Sequence, residues 1–515
     1  MQPTVLRRWR GQLLNLSRLA LLCLPQVALA STVTIMQSEP PRSMDPGDQT
    51  ATYTFNMLDP MYEGLVRMDE QGKVIPALAT AWHSDNTGKI WTFDLRQGVH
   101  FHDGSAFDAK AVVYNIQRHL DKSRGLAASG RLRNVIASVE ATSPTQVTFT
   151  LKKTFPTFLN LLTSGAAMMV SPTADKAGTL SMKADGTGPY EFVQYKTGEY
   201  VLEKRNPDYW GKVQGADDLK WTWSEEMSVM NMAIQSGEAD VINPVPPQFA
   251  RLLNNNPEVN LTQSPGSAVF WVALDTAMKP LDDVRVRQAL NFATDRSALV
   301  KAVSFGYAQP ANSPLASIAP GYDSKLNDYP FNIDKAKSLL SAAGYPNGFS
   351  MSIAVQGPDA RTAQVLQAMW KKIGVDLEVK QMESGVWTKA AFASPEEKAK
   401  LGVSSVLASW SSGLVGNDNQ LRPLYDSQSF APGGANLGFY KNSEVDQLID
   451  EASSTLDETK RNALYGKLQT LISHDAPHVL LYYQDDLYAT GKQVLGVQMI
   501  PGGNLVVRNA TLAAK

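Results

Sequence analysis

Cysteine is almost absent from this sequence: Cys23 is the single one among 515 residues. A chain with one thiol forms no internal disulfide, so its stability has to come from packing. Histidine is nearly as scarce, and the six histidines are His83, His100, His102, His119, His474 and His478. The sequence also contains no HExxH or EF-hand motif. The composition excludes a disulfide scaffold and argues against direct metal ligation by histidine.

Long apolar segments are missing as well. The run at residues 19–30 is too short for a transmembrane helix, and no later segment approaches the roughly 20 apolar residues required. Arg7, Arg8 and Arg10 precede this run, and Ala28-Leu29-Ala30 ends it. A basic head, an apolar middle and a small-x-small end are typical of a secretory signal peptide. The sequence therefore predicts a signal peptide at residues 1–30, cleavage before Ser31, and a soluble periplasmic protein.

The predicted mature chain has neither cysteine nor an excess of basic residues. Leu22 precedes Cys23, whereas a lipoprotein signal needs a small side chain there, which argues against a lipid anchor. Without the four arginines of the signal, 44 basic and 50 acidic residues remain, a net charge near −6. A nucleic-acid partner calls for a basic face. The sequence therefore predicts no binding of nucleic acid.

Two closely spaced histidines, His100 and His102 in the stretch VHFHDG, pose the question of a metal site. The alternating segment WTFDLR at residues 91–96 predicts a half-buried strand. After the turn that follows, both histidines fall on the polar side of a hairpin, and Asp103 points to the other side. A metal site needs a further converging ligand and supporting contacts. We therefore predict a solvated hairpin edge.

Longer phrases carry more information than the histidine pair. Residues 80–109, TAWHSDNTGKIWTFDLRQGVHFHDGSAFDA, resemble the signature of the extracytoplasmic solute-binding proteins of peptide and nickel ABC importers, family 5. Further phrases occur in family order: GTGPYEF (186–192), NPDYW (206–210), SGEADV (236–241), LDDVRVRQALNFATDRSALV (281–300) and AGYPNGF (343–349). The resemblance covers essentially the whole mature chain. The sequences of these motifs are most similar to those of glutathione- and dipeptide-binding members.

Short alternating segments such as VTFTL (147–151) and helical stretches such as TAQVLQAMWKKIGV independently indicate an α/β protein. The resemblance implies a two-lobed periplasmic-binding-protein fold of type II, in the large peptide-binding class, with an extra subdomain on the first lobe. Lobe I is expected to comprise residues 31–265 and 485–515, with the subdomain at about 68–181. Lobe II is expected to comprise residues 266–484. Two crossings between lobes would form a hinge that closes on a ligand.

Catalytic motifs are missing from the sequence: it has no GxSxG elbow and no P-loop. The resemblance implies a non-enzymatic carrier without a cofactor, which captures a short peptide such as a dipeptide or glutathione. Its expected partner is an inner-membrane ABC permease with ATPase subunits, and the carrier is expected to be a monomer. One alternative is a binder of a nickel or opine-like metallophore complex, which brings its own donor atoms. Another is a hydrolase, since a fold alone does not exclude catalysis.

A zwitterionic peptide needs an acid for its ammonium group and a base for its carboxylate. In peptide-binding relatives, an aspartate that follows a tryptophan takes the ammonium, and Trp410 and Asp418 occupy the matching places here. Many relatives read Gly-Asp-x-Asp-Asn, whereas this chain has the shorter Gly416-Asn417-Asp418-Asn419. The alternative is that Asp418 only turns a surface loop.

Arg361 matches the arginine that dipeptide-binding members use for the ligand carboxylate, which a guanidinium can grip through two bonds. The alternative is a helix residue that faces solvent. Arg422 and Arg124 are reserve candidates, the second near where nickel-binding relatives place an arginine. For both, a solvated surface charge is the alternative.

The stretch QTATYTF at residues 49–55 matches a loop that lines the cleft in relatives. The resemblance therefore implies hydrogen bonds from Thr50 and Tyr53 and packing of Tyr53 on the ligand. Trp387 and Trp410 are candidates for apolar walls, because ligand pockets combine aromatic walls with few polar groups. Packing in the core is the alternative for each tryptophan.

Overall fold

The computed structural model of this protein describes residues 30–411 and 416–513. The predicted signal peptide up to residue 29, with Cys23, lies outside the described residues. So do residues 412–415, which precede Gly416 in the proposed ligand loop.

Strands and helices alternate along the described chain. The strands are β1 (Thr32–Gln37), β2 (Val66–Met68), β3 (Val74–Pro76), β4 (Ala79–Ser84), β5 (Ile90–Leu95), β6 (Ile136–Ser143), β7 (Gln146–Leu151), β8 (Tyr190–Lys196), β9 (Tyr200–Arg205), β10 (Asp218–Trp223), β11 (Val241–Asn243), β12 (Val259–Ser264), β13 (Ala268–Leu274), β14 (Ala308–Pro310), β15 (Ser350–Gln356), β16 (Asp376–Met382), β17 (Ser405–Ser411), β18 (His478–Gln484), β19 (Asp486–Gly491), β20 (Val494–Leu495), β21 (Gln498–Ile500), β22 (Asn504–Val506) and β23 (Thr511–Leu512). The α-helices are α1 (Thr52–Leu58), α2 (Ala109–Leu120), α3 (Ser129–Val135), α4 (Phe158–Leu162), α5 (Pro172–Lys176), α6 (Met227–Ser236), α7 (Pro247–Asn254), α8 (Val284–Phe292), α9 (Arg296–Val303), α10 (Ile333–Ala342), α11 (Ala360–Trp370), α12 (Ser384–Ala391), α13 (Pro395–Leu401), α14 (Asp418–Tyr425), α15 (Ser443–Ser454) and α16 (Glu458–Asp475).

Lobe I is built on a seven-stranded sheet with the order β12-β19-β11-β1-β10-β9-β8. Strand β1 lies at its centre and pairs in parallel with β10 and β11. Ile35 of β1 and Trp221 of β10 are fully buried in the same core cluster. The carboxyl ends of the three parallel strands meet at one edge of this sheet, where ligands commonly bind in open α/β sheets.

Lobe II is built on a six-stranded sheet with the order β14-β18-β13-β17-β15-β16. Strands β15, β16 and β17 run parallel to one another, so their carboxyl ends share one edge. A core cluster with residues of α8 to α11 and a second one with residues of α14 to α16 both draw on the strands of this sheet. Lobe II is therefore a layered α/β unit with its own core.

The chain passes between the two sheets twice, from β12 to β13 and from β18 to β19. The two passages touch each other. A Cβ added at Gly266 would lie 2.1 Å from the carbonyl oxygen of Gln484. Only glycine permits this close approach of two backbones. The lobe boundaries given above, at residues 265 and 485, remain a prediction.

The subdomain contains a four-stranded sheet with the order β4-β5-β7-β6. The predicted strand at residues 91–96 corresponds to β5, in which Trp91, Phe93 and Leu95 are buried as the alternation requires. Phe93 packs against Phe149 of β7 and Phe158 of α4. Asp108 caps α2 by accepting a hydrogen bond from the amide of Ala111. The subdomain thus has an aromatic core of its own.

The prediction that both histidines of VHFHDG lie at a solvated edge is correct for His100 and wrong for His102. His100 is exposed, as predicted for the polar side of a hairpin. His102 instead packs against the GTGPYEF stretch, where its Nε2 lies 3.0 Å from the carbonyl oxygen of Gly188. The amide of Gly186 donates to its Nδ1 at 3.4 Å. Burial lowers the pKa of His102. The ring joins two segments that are distant in sequence.

Candidate functional site

A cavity of about 370 Å³ lies between the subdomain and lobe II. The subdomain contributes side chains from α3 and from the segment that joins β7 to α4. Lobe II contributes Gly416 and Asn417 together with side chains of α14, α15 and α16. Among the lining residues are Arg131, Lys153, Phe155, Thr157, Asp418, Arg422, Arg461 and Tyr465. The described walls of this cavity therefore come from both sides of the molecule.

The two sides touch around this cavity. Gly416 has a φ of +130°, and a Cβ built on it would lie 2.9 Å from Oγ1 of Thr157 in the subdomain. A Cβ at Gly88 would likewise meet the side chain of Leu456 at 2.5 Å. Both glycines allow the backbone of one side to approach side chains of the other. The subdomain and lobe II are thus in contact at two places.

Asp418 lies in the first turn of α14. Its negative charge interacts favourably with the positive end of the helix dipole. One turn later, Arg422 donates from Nε to Oδ1 of Asp418 at 3.0 Å. The same guanidinium donates from Nη1 to Asp426 at 2.9 Å and to Asp450 at 2.8 Å. Asp418 is therefore already bonded to an arginine while it lines the cavity.

Three carboxylates surround the Arg422 guanidinium. Burial alone lowers the pKa of Arg422, but the hydrogen bonds and charges of Asp418 and Asp450 outweigh it and raise the pKa. The i,i+4 spacing of residues 418, 422 and 426 places these partners on one helix face. Arg422 thus stays charged and is matched by more negative charge than it carries.

Three further cations face the cavity without such partners. Arg131 and Lys153 belong to the subdomain and are exposed. Arg461 of α16 is half-buried, and its Nη1 donates to the carbonyl oxygens of Thr455 and Leu456 at 2.9 and 3.0 Å. None of the three lies within ion-pair distance of a carboxylate of the described residues. The cavity therefore has a positive surplus.

Trp410 and Trp387 have different environments. Trp410 is the penultimate residue of β17 and is half-buried, and its Nε1 donates to the carbonyl oxygen of Asn419 at 2.8 Å. It thereby connects the strand to the helix that carries Asp418. Trp387 of α12 is buried in the core of lobe II, and its Nε1 faces the carbonyl oxygen of Ala354 at 3.4 Å. Its surroundings match the alternative of core packing.

Arg361 lies on α11 directly after β15, at the edge where the parallel strands of lobe II end. Its side chain is exposed, and its guanidinium lies 5.5 Å from the ring centre of Phe305. An open depression at the same edge is lined by residues 356–358 and 381–384. Arg361 does not line the 370 Å³ cavity, so the structure does not bring it together with Asp418 there.

Thr50 and Tyr53 lie at the beginning of α1 in lobe I, where Thr50 is exposed and Tyr53 is half-buried. Neither lines the 370 Å³ cavity. Arg124 belongs to the subdomain, and its Nη2 donates to Oδ1 of Asp175 at 2.6 Å and to Oδ2 at 2.7 Å. Arg124 therefore has a carboxylate partner of its own.

Of the charged residues that line the cavity, the sequence analysis named Asp418 and Arg422 but not Arg131, Lys153 and Arg461. These three residues come from distant parts of the chain and follow no local motif. Their convergence depends on how the subdomain meets lobe II. The only sequence signal for a role in the cavity is the positive charge of these three residues. Many other surface residues carry the same charge, so this signal does not single them out.

Residues 30–411 and 416–513 contain neither a metal-binding cluster nor a membrane-spanning helix. No group of three or more histidine, cysteine, aspartate and glutamate side chains is placed to hold a metal ion there. None of the helices in that part of the chain combines the length and apolar character needed to cross a membrane.

This chain is similar to known bacterial solute-binding proteins. A family model described as bacterial extracellular solute-binding proteins, family 5 Middle, matches residues 73–432. The glutathione-binding protein GsiB of Shigella flexneri serotype 5b is 32% identical over 477 residues, which cover 91% of this chain and 92% of that protein.

Solved structures agree with this chain over nearly its whole length. HbpA2 from Haemophilus parasuis matches with a TM-score of 0.85 and 27% identity, covering 94% of this chain and all of that one. DppA from Helicobacter pylori, a periplasmic binding protein solved with the peptide STSA, matches with a TM-score of 0.74 and 26% identity, covering 94% and 98%. The predicted two-lobed periplasmic-binding-protein fold is confirmed.

Proposed function

Because the chain belongs to family 5 of the bacterial extracellular solute-binding proteins, we propose that it captures a short peptide between its lobes for import. The proposed ligand is a dipeptide or a glutathione-like peptide. Proteins of this family serve ABC importers as solute-binding components and are not enzymes. The proposed recipient is an inner-membrane permease driven by ATPase subunits.

The observation that carries this proposal is the cavity between the subdomain and lobe II. Its volume of about 370 Å³ lies at the lower end of the range of roughly 300–1,000 Å³ that is usual for small-ligand sites. Asp418 offers a carboxylate to this cavity, as recognition of a peptide ammonium requires. A peptide ammonium would share this carboxylate with Arg422.

Other residues of the site are proposed on the strength of their position. Arg361 would take the ligand carboxylate at the strand-end edge of lobe II, and Trp410 would form an apolar wall. Thr50 and Tyr53 would contribute from lobe I. Trp387 would support this wall from the core, and Arg422 would hold Asp418 in place. Arg124 is already paired with Asp175 and would contribute least to ligand binding.

The chain would be exported by its signal peptide, cleaved before Ser31, and act in the periplasm as a monomer. Lobe I, with residues 31–265 and 485–515, would close on lobe II about the two passages between the sheets. Ligand that binds only the closed form compacts the molecule and raises its melting temperature. Small-angle scattering that does not change on saturation with ligand would contradict closure.

Native mass spectrometry of protein purified gently from periplasm tests the ligand class. An added mass that matches a dipeptide, a tripeptide or glutathione is expected. Titration calorimetry with that compound then measures the affinity directly. An adduct with the isotope pattern of a transition metal would instead favour a carrier of a metal complex, and release of cleaved peptide would favour a hydrolase.

A further inference from the structure

We propose that the cavity between the subdomain and lobe II is an anion subsite that selects short peptides with an additional carboxylate. The subsite would hold a negatively charged group of the ligand beyond the one carboxylate that every peptide has. This inference rests on the proposed function, since it concerns which peptides enter the same cleft.

Cations outnumber carboxylates among the lining residues. Arg131, Lys153, Arg422 and Arg461 line the cavity, whereas Asp418 is the one acidic residue among its described lining residues. Arg422 is matched by three carboxylates. The other three cations have hydrogen bonds to backbone oxygens or none, and no carboxylate of the described chain pairs with them. A cleft lined mainly by charges of one sign concentrates counter-ions, so this positive surplus favours a bound anion.

The arrangement of these cations links the anion to closure. Arg131 and Lys153 come from the subdomain, and Arg461 comes from lobe II. Where the two sides meet, these like charges line the gap between them from both sides. Repulsion opposes closure when the gap is empty, and a carboxylate between the cations converts it into attraction to both sides. An anionic ligand would therefore stabilise the closed form more than a neutral one.

The remaining lining residues suit a carboxylate on a short side chain. Asn134 and Thr157 offer hydrogen-bonding groups, and Phe155 and Tyr465 offer apolar surface. Burial is the main cause that raises the pKa of Tyr465, while Arg461 lowers it and Asp418 raises it. These two charged groups thus act on the same side chain within the cavity. The volume admits the end of a peptide side chain as well as its carboxylate.

Calorimetric titration with three matched pairs of tripeptides tests the inference. Each pair places glutamate or glutamine at the first, second or third position, with alanine elsewhere. We expect one glutamate peptide to bind the full mature protein at least about tenfold more tightly than its glutamine counterpart. In the double variant Arg131→Gln/Lys153→Gln, whose residues are exposed on the subdomain, this ratio should fall to about one.

A matched control removes the same charge elsewhere. Lys110→Gln/Lys122→Gln changes two exposed lysines of the subdomain that do not line the cavity, and it should keep the wild-type ratio. A ratio lost equally in both double variants would assign the effect to net charge and overturn the subsite. So would a ratio near one in the wild type. Enhanced binding of the glutamine peptides by added acetate would show that a free anion fills the cavity, and it would overturn selection of the peptide by its charge.

The binding data distinguish failure of the peptide-binding function from failure of the anion subsite alone. If the wild type binds none of the six peptides and no peptide is carried over from periplasm, the peptide-binding function is wrong, and the anion subsite is wrong with it. If both members of each pair bind equally, the function stands and only the subsite is overturned.

Discussion

The arginine–aspartate networks around Arg118 and around Arg422 differ in their surroundings. In the subdomain, Arg118 pairs with Asp45 of lobe I at 2.5 Å and with Asp175 at 3.1 Å. Its side chain is 2% exposed, and those of its partners are 8% and 5% exposed. In lobe II, Arg422 is 27% exposed, and its partners Asp418 and Asp450 are 33% and 73% exposed.

The difference in burial indicates a difference in role. Charges that are buried and paired are held in one arrangement, because removing one partner leaves the other uncompensated. Charges at the wall of a cavity can exchange a protein partner for a ligand at little cost, since solvent screens them. The Arg118 network therefore fixes the subdomain to lobe I, whereas the Arg422 network can present Asp418 to a ligand.

The largest effect is expected from Arg118→Ala. This change leaves the carboxylates of Asp45 and Asp175 buried without their shared cation, and we expect a loss of about 3–5 kcal/mol in the free energy of unfolding. Urea unfolding followed by circular dichroism measures it. A loss below about 1 kcal/mol would remove the distinction between the two networks.

Asp418→Ala should instead affect binding. We expect the affinity for a peptide ligand to fall about 100-fold, because a charged partner of the ligand is lost. The free energy of unfolding should change by less than about 1 kcal/mol, as is usual for partly exposed pairs. Asp450→Ala is the matched control, since Asp450 also pairs with Arg422 but does not line the cavity. Equal losses of affinity in both variants would reduce Asp418 to a support of Arg422.

Asp485 and Asp486 lie at the passage from β18 to β19. Among the described residues, no arginine lies within ion-pair distance of either carboxylate. Burial, followed by the charge of Asp485, raises the pKa of Asp486 to about 6. The unfolded chain has the ordinary, lower pKa, so protonation favours the folded state. This contribution is complete below about pH 4 and is lost as the pH rises through about 6. Asp486→Asn should therefore reduce the fall in melting temperature between pH 4.5 and pH 8.

Asp485→Asn provides the control for this pH effect. It removes the neighbouring charge, so it should move the midpoint of the pH-dependent change in melting temperature to a lower pH without abolishing it. An identical pH profile in wild type and Asp486→Asn would show that Asp486 does not titrate in this range.

The smallest effect is expected from Arg124→Ala. Arg124 is 36% exposed and shares Asp175 with the buried Arg118. Burial alone raises the pKa of Asp175, but hydrogen bonds from Tyr114 and Arg124 and the charge of Arg118 lower it. Because Arg118 remains in the variant, we expect a loss of at most about 1 kcal/mol in unfolding free energy. Weaker peptide binding in a calorimetric titration would give Arg124 a role in the site.

Strand β5 and His102 show what local patterns can and cannot predict. The alternation of Trp91, Phe93 and Leu95 follows from the period of two in a strand, so it was readable from the sequence. The same reasoning placed His102 in solvent and was wrong. The contacts that partly cover His102 come from Gly186 and Gly188, more than eighty positions away, and no local periodicity predicts such contacts.

The sequence by itself determined the α/β class, the family and the candidate loops, because strand periodicity and family phrases are properties of contiguous residues. It also indicated Asp418 and its helix neighbour Arg422. Only the tertiary structure decided that Arg124 is paired with Asp175 and that Trp387 is core. It alone brought Arg131, Lys153 and Arg461 to the walls of one cavity. Electrostatic interactions act through space, so the charge of a cavity depends on which surfaces meet and not on their order along the chain.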